Sequence, residues 1–69
     1  MTRKQLRELF NGYLDQLKHT GKCEVNLPQA DFEELKAFIR KLNYTISYSN
    51  VENVLNVHID GKVIIIGGY

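Results

Sequence analysis

Cys23 and His19 are the residues whose types and spacing come nearest to a nucleophile and its base. A cysteine attacks as the thiolate, and a nearby histidine can accept its proton. However, Cys23 alternates with Val25 and Leu27, which is typical of a half-buried strand, and a buried cysteine behaves as a small apolar side chain. His19 lies at the end of a helical pattern, where a cation offsets the helix dipole. We therefore predict a core role for Cys23 and a capping role for His19.

The remaining candidate groups do not form a recognisable reactive or ligand-binding set. Together with His58, the histidines and the cysteine match no zinc spacing, and no acidic cluster resembles a calcium loop. Glu33 and Glu34 are paired carboxylates, but they lie among lysines on a helical pattern typical of a solvated face. Gly67-Gly68 follows a strand pattern without a helix after it to receive a phosphate. We expect no enzyme activity, no metal, no cofactor and no small-molecule substrate.

The length of 69 residues limits the chain to one small domain, which we place at residues 1–69. Nine Lys and Arg against eight Asp and Glu give a formal charge of +1, far from the strongly basic balance of dedicated nucleic-acid modules. The single cysteine excludes a disulfide framework and favours a reducing compartment. No apolar run is long enough to cross a bilayer, and the first residues do not resemble an export signal. The sequence therefore predicts a cytoplasmic protein with no membrane contact.

Two stretches have the spacing of amphipathic helices. Thr2 and Gln5 form a capping box before the first stretch, and Gly21 is a typical stop signal after it. Pro28 precedes the second stretch, at a position that begins helices well. Apolar residues recur at helical spacing in both stretches; they are Leu6, Leu9, Phe10, Tyr13, Leu14 and Leu17 in the first, and Phe32, Leu35, Phe38, Ile39 and Leu42 in the second.

Four segments alternate with the period of strands: 22–27, 44–49, 54–59 and 62–67. The last two flank Asp60-Gly61, a pair that tolerates the positive φ angles of a two-residue type I′ turn. The order is α-β-α-β-β-β. We predict an α+β fold in which two helices pack on one face of a small, mostly antiparallel sheet.

The turn at Asp60-Gly61 sets the register of the last two strands and thereby assigns the faces of the sheet. One face receives five aliphatic side chains that can meet the helices: Leu55, Val57, Ile59, Ile64 and Ile66. The opposite face, expected to be exposed to water, carries three aliphatic side chains beside two polar ones: Val54, Asn56, His58, Val63 and Ile65. Contiguous apolar patches of this kind mark interaction sites. The alternatives are that the segment Gly67-Gly68-Tyr69 covers Val63 and Ile65, or that these are scattered surface residues without a role. We also expect the last strand, if it lies at the edge of the sheet, to offer unpaired backbone groups.

These features predict a small interaction protein that binds stoichiometrically to itself as a homodimer, to another protein, or to both. A regulator or inhibitor of the sort encoded by phages and mobile elements fits this size. The alternative is a weak nucleic-acid-binding module that uses basic residues of the two helices: Arg3, Lys4, Arg7, Lys36, Arg40 and Lys41. Tyr44 and Tyr48 could stack on bases, but their alternation with Ile46 predicts that they face inward.

Overall fold

The computed structural model describes residues 1–69 and confirms the predicted α+β fold and element order. Two helices pack against one face of a four-stranded sheet. The elements are α1 (Arg3–Thr20), β1 (Cys23–Leu27), α2 (Gln29–Arg40), β2 (Thr45–Ser49), β3 (Val54–Ile59) and β4 (Lys62–Gly68).

Both ends of α1 follow from its sequence. The hydroxyl of Thr2 accepts a hydrogen bond from the backbone N–H of Gln5, and the side chain of Gln5 accepts one from the N–H of Thr2. This capping box satisfies two of the free donors at the helix start. Gly21 closes the helix with a φ of 77°, a left-handed conformation that glycine adopts without steric cost.

The strand order is β1-β4-β3-β2, with β1 and β4 parallel and the other two pairs antiparallel. The last strand therefore lies inside the sheet, and our expectation that it offers an unpaired edge is wrong. Strand β1 takes up the backbone groups of β4 that a free edge would expose. The two edges of the sheet are β1 and β2.

The turn between β3 and β4 has the predicted geometry. Asp60 and Gly61 have φ angles of 49° and 76°, and Ile59 pairs with Lys62 on either side of them. The predicted register is confirmed along both strands, so that Val57 pairs with Ile64. This register decides which aliphatic side chains of β4 reach the helices.

The core lies between the helices and the middle of the sheet. It contains twelve buried apolar residues, from both helices, β1, β3 and β4: Leu6, Phe10, Tyr13, Leu17, Cys23, Phe32, Leu35, Ile39, Leu55, Val57, Ile64 and Ile66. The helices lie mainly over β1 and β4. Strand β2 contributes no fully buried side chain, and its helix-facing Ile46 and Tyr48 are half-buried.

A hydrogen-bonded cluster fastens the turn between β2 and β3 to the start of α2 and the end of β4. The Nδ2 of Asn53 donates to Oε1 of Gln29 and, over 3.2 Å, to the carbonyl oxygen of Gly68. The hydroxyl of Tyr48 donates to Oδ1 of Asn53 over 3.0 Å. Asn53 has a φ of 55°, in the left-handed region that asparagine tolerates better than most residues. One side chain thus ties together three segments that are distant in sequence.

Candidate functional site

The face of the sheet opposite the helices, which we call the open face, has no element of the chain over it. The register places all five predicted contact residues there, at the centre of the face: Val54, Asn56, His58, Val63 and Ile65. His58 is exposed, and the other four are half-buried among their neighbours. The segment Gly67-Gly68 continues β4 instead of folding back over Val63 and Ile65.

Residues of the two edge strands complete the open face. Thr45, Ser47 and Ser49 of β2 lie beside β3, and Glu24 and Asn26 of β1 lie beside β4. The sequence did not predict that these five residues belong to the open face. Their alternation along each strand was predicted, but the strands beside which β1 and β2 lie were not. These side chains are short or uncharged except for that of Glu24. The open face is therefore a nearly uncharged surface with an aliphatic centre.

The two edges of the sheet differ in how they are protected. Strand β1 carries Glu24, follows Lys22 and is followed by Pro28, and charged residues and proline discourage another strand from pairing. Strand β2 has the sequence TISYS, without a charge, a proline or a bulge. The unprotected edge thus adjoins the open face on its β2 side.

A cleft on the helix side has a volume of about 510 Å³ and opens between α1 and the end of α2. Sequence reasoning assigned most of its apolar residues to the core stripes of the helices and did not predict the cleft. Phe10 and Tyr44 meet edge to face across it, with ring centroids 5.6 Å apart. Tyr44 lies on the helix side, as predicted for both tyrosines, but keeps 37% of its surface exposed.

The structure separates the six basic residues of the nucleic-acid alternative. Lys36 already has partners within the protein. Its Nζ lies 3.2 Å from a carboxylate oxygen of Glu33 and 4.2 Å from the centre of the Tyr48 ring, and only 13% of its side chain is exposed. The other five are exposed and have no ion-pair partner within 4.0 Å. Of these five, three line depressions between the helices, namely Arg3, Arg7 and Lys41. Lys4 and Arg40 line none.

No family model, curated protein or solved structure matches this chain. No helix has both the length and the hydropathy needed to cross a membrane. Nowhere do three or more His, Cys, Asp or Glu side chains come together as metal ligands would.

The residues considered as a nucleophile and a base lie in different environments. Cys23 is 1% exposed in the core, as predicted. His19 lies at the solvent-exposed end of α1, where its Nε2 is 3.4 Å from Asp15. His58 lies on the open face, and Cys23 lies on the helix side of the same sheet. No histidine side chain is placed to accept the proton of the buried thiol.

We expect the buried thiol to make the protein less stable at alkaline pH. Burial raises the pKa of Cys23, and burial, followed by the charge of Cys23, raises that of Tyr13. The folded state therefore holds these protons to higher pH than the unfolded chain does, and stability falls as pH rises above about 8.5, the value of a free thiol. Urea unfolding at a series of pH values from neutral to alkaline measures this fall.

The variant Cys23→Ala is the control for this prediction, because it removes the titrating thiol. We expect its lower stability to decline less steeply from neutral to alkaline pH than that of the wild type. Equal slopes for the two proteins would contradict a raised thiol pKa. Rapid modification of Cys23 by a thiol reagent under native conditions would contradict its burial.

Proposed function

We propose that this protein is a non-enzymatic binding module that forms a homodimer through its open face and binds another protein stoichiometrically. The observation that carries the proposal is the aliphatic centre of the open face, formed by Val54, Val63 and Ile65 with no element of the chain over it. Monomeric proteins seldom leave such patches contiguous without a use. A regulator or inhibitor, acting by binding alone, fits these features.

A second copy of the chain is the occupant that the open face fits best. The strand residues of the face include one carboxylate, Glu24, which lies 3.9 Å from the ammonium group of Lys22, so the face complements an uncharged surface such as itself. A surface that pairs with its own copy closes a two-fold interface and leaves no unpaired patch. Association also adds buried area to a chain whose size allows only a small core.

The area of the open face sets the expected strength of the dimer. Four strands spaced ~4.8 Å apart, each contributing about five residues, span roughly 19 by 17 Å. Stable interfaces bury ~800 Å² on each partner, which is more than such a face supplies. We therefore expect a weak dimer with a Kd on the order of 10–100 µM.

The free thiol of Cys23 supports a reducing compartment, and we propose that the protein acts in the cytoplasm. An oxidising compartment would expose a lone cysteine to pairing between chains each time the protein unfolds. Burial at 1% exposure protects the thiol only in the folded state.

The decisive test is Ile65→Lys, because this substitution puts a charge at the centre of the proposed interface. An unpaired charge buried between two copies costs several kcal/mol, so we expect the Kd of the dimer to rise at least about a hundredfold. Sedimentation equilibrium or light scattering over a concentration series reports the change in mass. Far-UV circular dichroism checks that the variant remains folded.

The matched control is Val51→Lys, in the turn between β2 and β3. Val51 is 97% exposed and lies outside the open face, so the same gain of charge leaves the dimer unchanged. A wild-type protein that stays monomeric up to about 1 mM would contradict the proposal. A dimer that survives Ile65→Lys would contradict the open face as its interface and point to the free edge of β2.

A further inference from the structure

We propose that the cleft between α1 and α2 binds an acidic amphipathic peptide segment of a partner protein. This proposal rests on the binding role proposed above. The cleft lies on the opposite side of the molecule from the open face. Its grounds are the apolar lining of the cleft and the set of unpaired cations around it.

The lining of the cleft is apolar and continues into a second depression. Five of its eight residues are hydrophobic: Phe10, Leu14, Phe38, Leu42 and Tyr44. Phe38 also lines the neighbouring depression of about 370 Å³, which runs along the helices towards Met1. Since they share Phe38, we treat the two depressions as one groove between the helices. Such a groove suits a row of apolar side chains, as an amphipathic segment presents them.

Three of the charged side chains around the groove are cations without an acidic partner. Arg3 and Arg7 are one helical turn apart on α1, and Lys41 follows the end of α2. All three line the groove, and none has an acidic partner within 4.0 Å. The only acid in the lining, Glu34, is paired with the amino group of Met1. The groove therefore attracts a negatively charged ligand.

The combination favours a peptide over a nucleic acid. A phosphate backbone would pair with Arg3, Arg7 and Lys41 but would leave the apolar lining exposed to water. A peptide that alternates acidic and large apolar side chains satisfies both parts of the groove. Arg7 lines one depression, and Arg3 and Lys41 line the other, which suits a ligand that carries more than one carboxylate.

A selection experiment can identify the chemistry of the bound peptide without an assumed peptide sequence. A displayed library of random 16-residue peptides is selected on the immobilised wild-type protein and depleted on the variant Arg7→Glu/Lys41→Glu. The proposal predicts that the enriched peptides combine aspartate or glutamate with leucine or aromatic residues. Amide chemical shifts of the protein titrated with an enriched synthetic peptide are expected to change around Leu14, Phe38 and Leu42.

Charge reversal on the two sides of the groove measures the role of the cations. We expect Arg7→Glu/Lys41→Glu to weaken binding of the enriched peptide about tenfold or more. The control is Lys4→Glu/Arg40→Glu, which makes the same change in net charge on α1 and at the end of α2, at positions outside the groove. We expect the control to bind within about threefold of the wild type.

Three outcomes would overturn the inference. The first is a selection that enriches basic or uncharged peptides, or no peptides at all. The second is an equal loss of affinity in both double variants. The third is tighter binding of a 20-nucleotide single-stranded DNA than of any selected peptide. Repeating the titration with Ile65→Lys separates this inference from the proposed dimer, because we expect the same peptide affinity whether or not the open face associates. Peptide binding by a protein that never dimerises would therefore support the groove and reject the dimer.

Discussion

Replacing Ile64 by alanine is expected to cost about 2–5 kcal/mol, whereas the same change at the next residue, Ile65, is expected to cost about 1 kcal/mol or less. Ile64 is 0% exposed and pairs with the buried Val57 and Cys23 on the two neighbouring strands. Its removal leaves a cavity that the surrounding side chains fill only in part. Ile65 lies half-buried on the open face, where water can occupy the vacated space.

The contrast is large relative to the stability of so small a protein. At ~0.05–0.15 kcal/mol per residue, a chain of 69 residues is stabilised by about 3–10 kcal/mol in total. Ile64→Ala can therefore unfold much of the population at room temperature. Urea unfolding at low micromolar concentration, below the expected Kd of the dimer, measures both variants as monomers. Equal losses would mean that the open face is covered within the monomer, which would contradict its assignment as a free surface.

Replacing Gly68 by alanine is expected to cost about 1–3 kcal/mol, because the added methyl group has no space. A Cβ at this position would lie 2.6 Å from both Nδ2 of Asn53 and Oε1 of Gln29, and 2.9 Å from the ring of Phe32. The first two atoms are hydrogen-bonded to each other, and Phe32 is 0% exposed. The methyl group must therefore break the cluster that holds the turn between β2 and β3, displace a core ring, or do both.

The neighbouring Gly67 is the matched control. A Cβ there would lie 2.5 Å from Oδ1 of Asn26, but this side chain belongs to an exposed residue and can rotate away. We expect Gly67→Ala to change stability by less than about 1 kcal/mol, since alanine also restricts the unfolded chain. Thermal and urea unfolding compare the two variants. A larger loss for Gly67→Ala than for Gly68→Ala would show that the cluster around Asn53 contributes little.

The local parts of the fold could be predicted from the sequence because each depends on residues close together in the chain. The turn at Asp60-Gly61 requires two positive φ angles that this pair tolerates, and its length alone sets the register of β3 and β4. The capping box of Thr2 and Gln5 is equally local. The fold class followed from the order of these elements, and the composition of the open face at its centre followed from the register.

The strand order could not be predicted in the same way, since nothing within β1 specifies its neighbour. Its alternation of Cys23, Val25 and Leu27 fits beside β2 as well as beside β4. The run Val63–Ile66 is typical of strands covered on both faces, and it does not specify which strands lie beside β4. The groove between the helices depends on the relative placement of α1 and α2, which no local pattern encodes. The same holds for Lys36, whose ion pair within α2 is local but whose contact with the ring of Tyr48 is not.

The central position of β4 has a consequence for how the chain acquires its structure. Residues 23–27 pair with residues 64–68, so β1 finds its neighbouring strand only after the residues up to 68 have been synthesised. The hairpin of β3 and β4 can form early, since its closing loop is only two residues long. Pairing of β4 in that hairpin with β1 then completes the four-stranded sheet. The sheet can therefore close only after β4 has been synthesised, and we expect closure to follow formation of the hairpin.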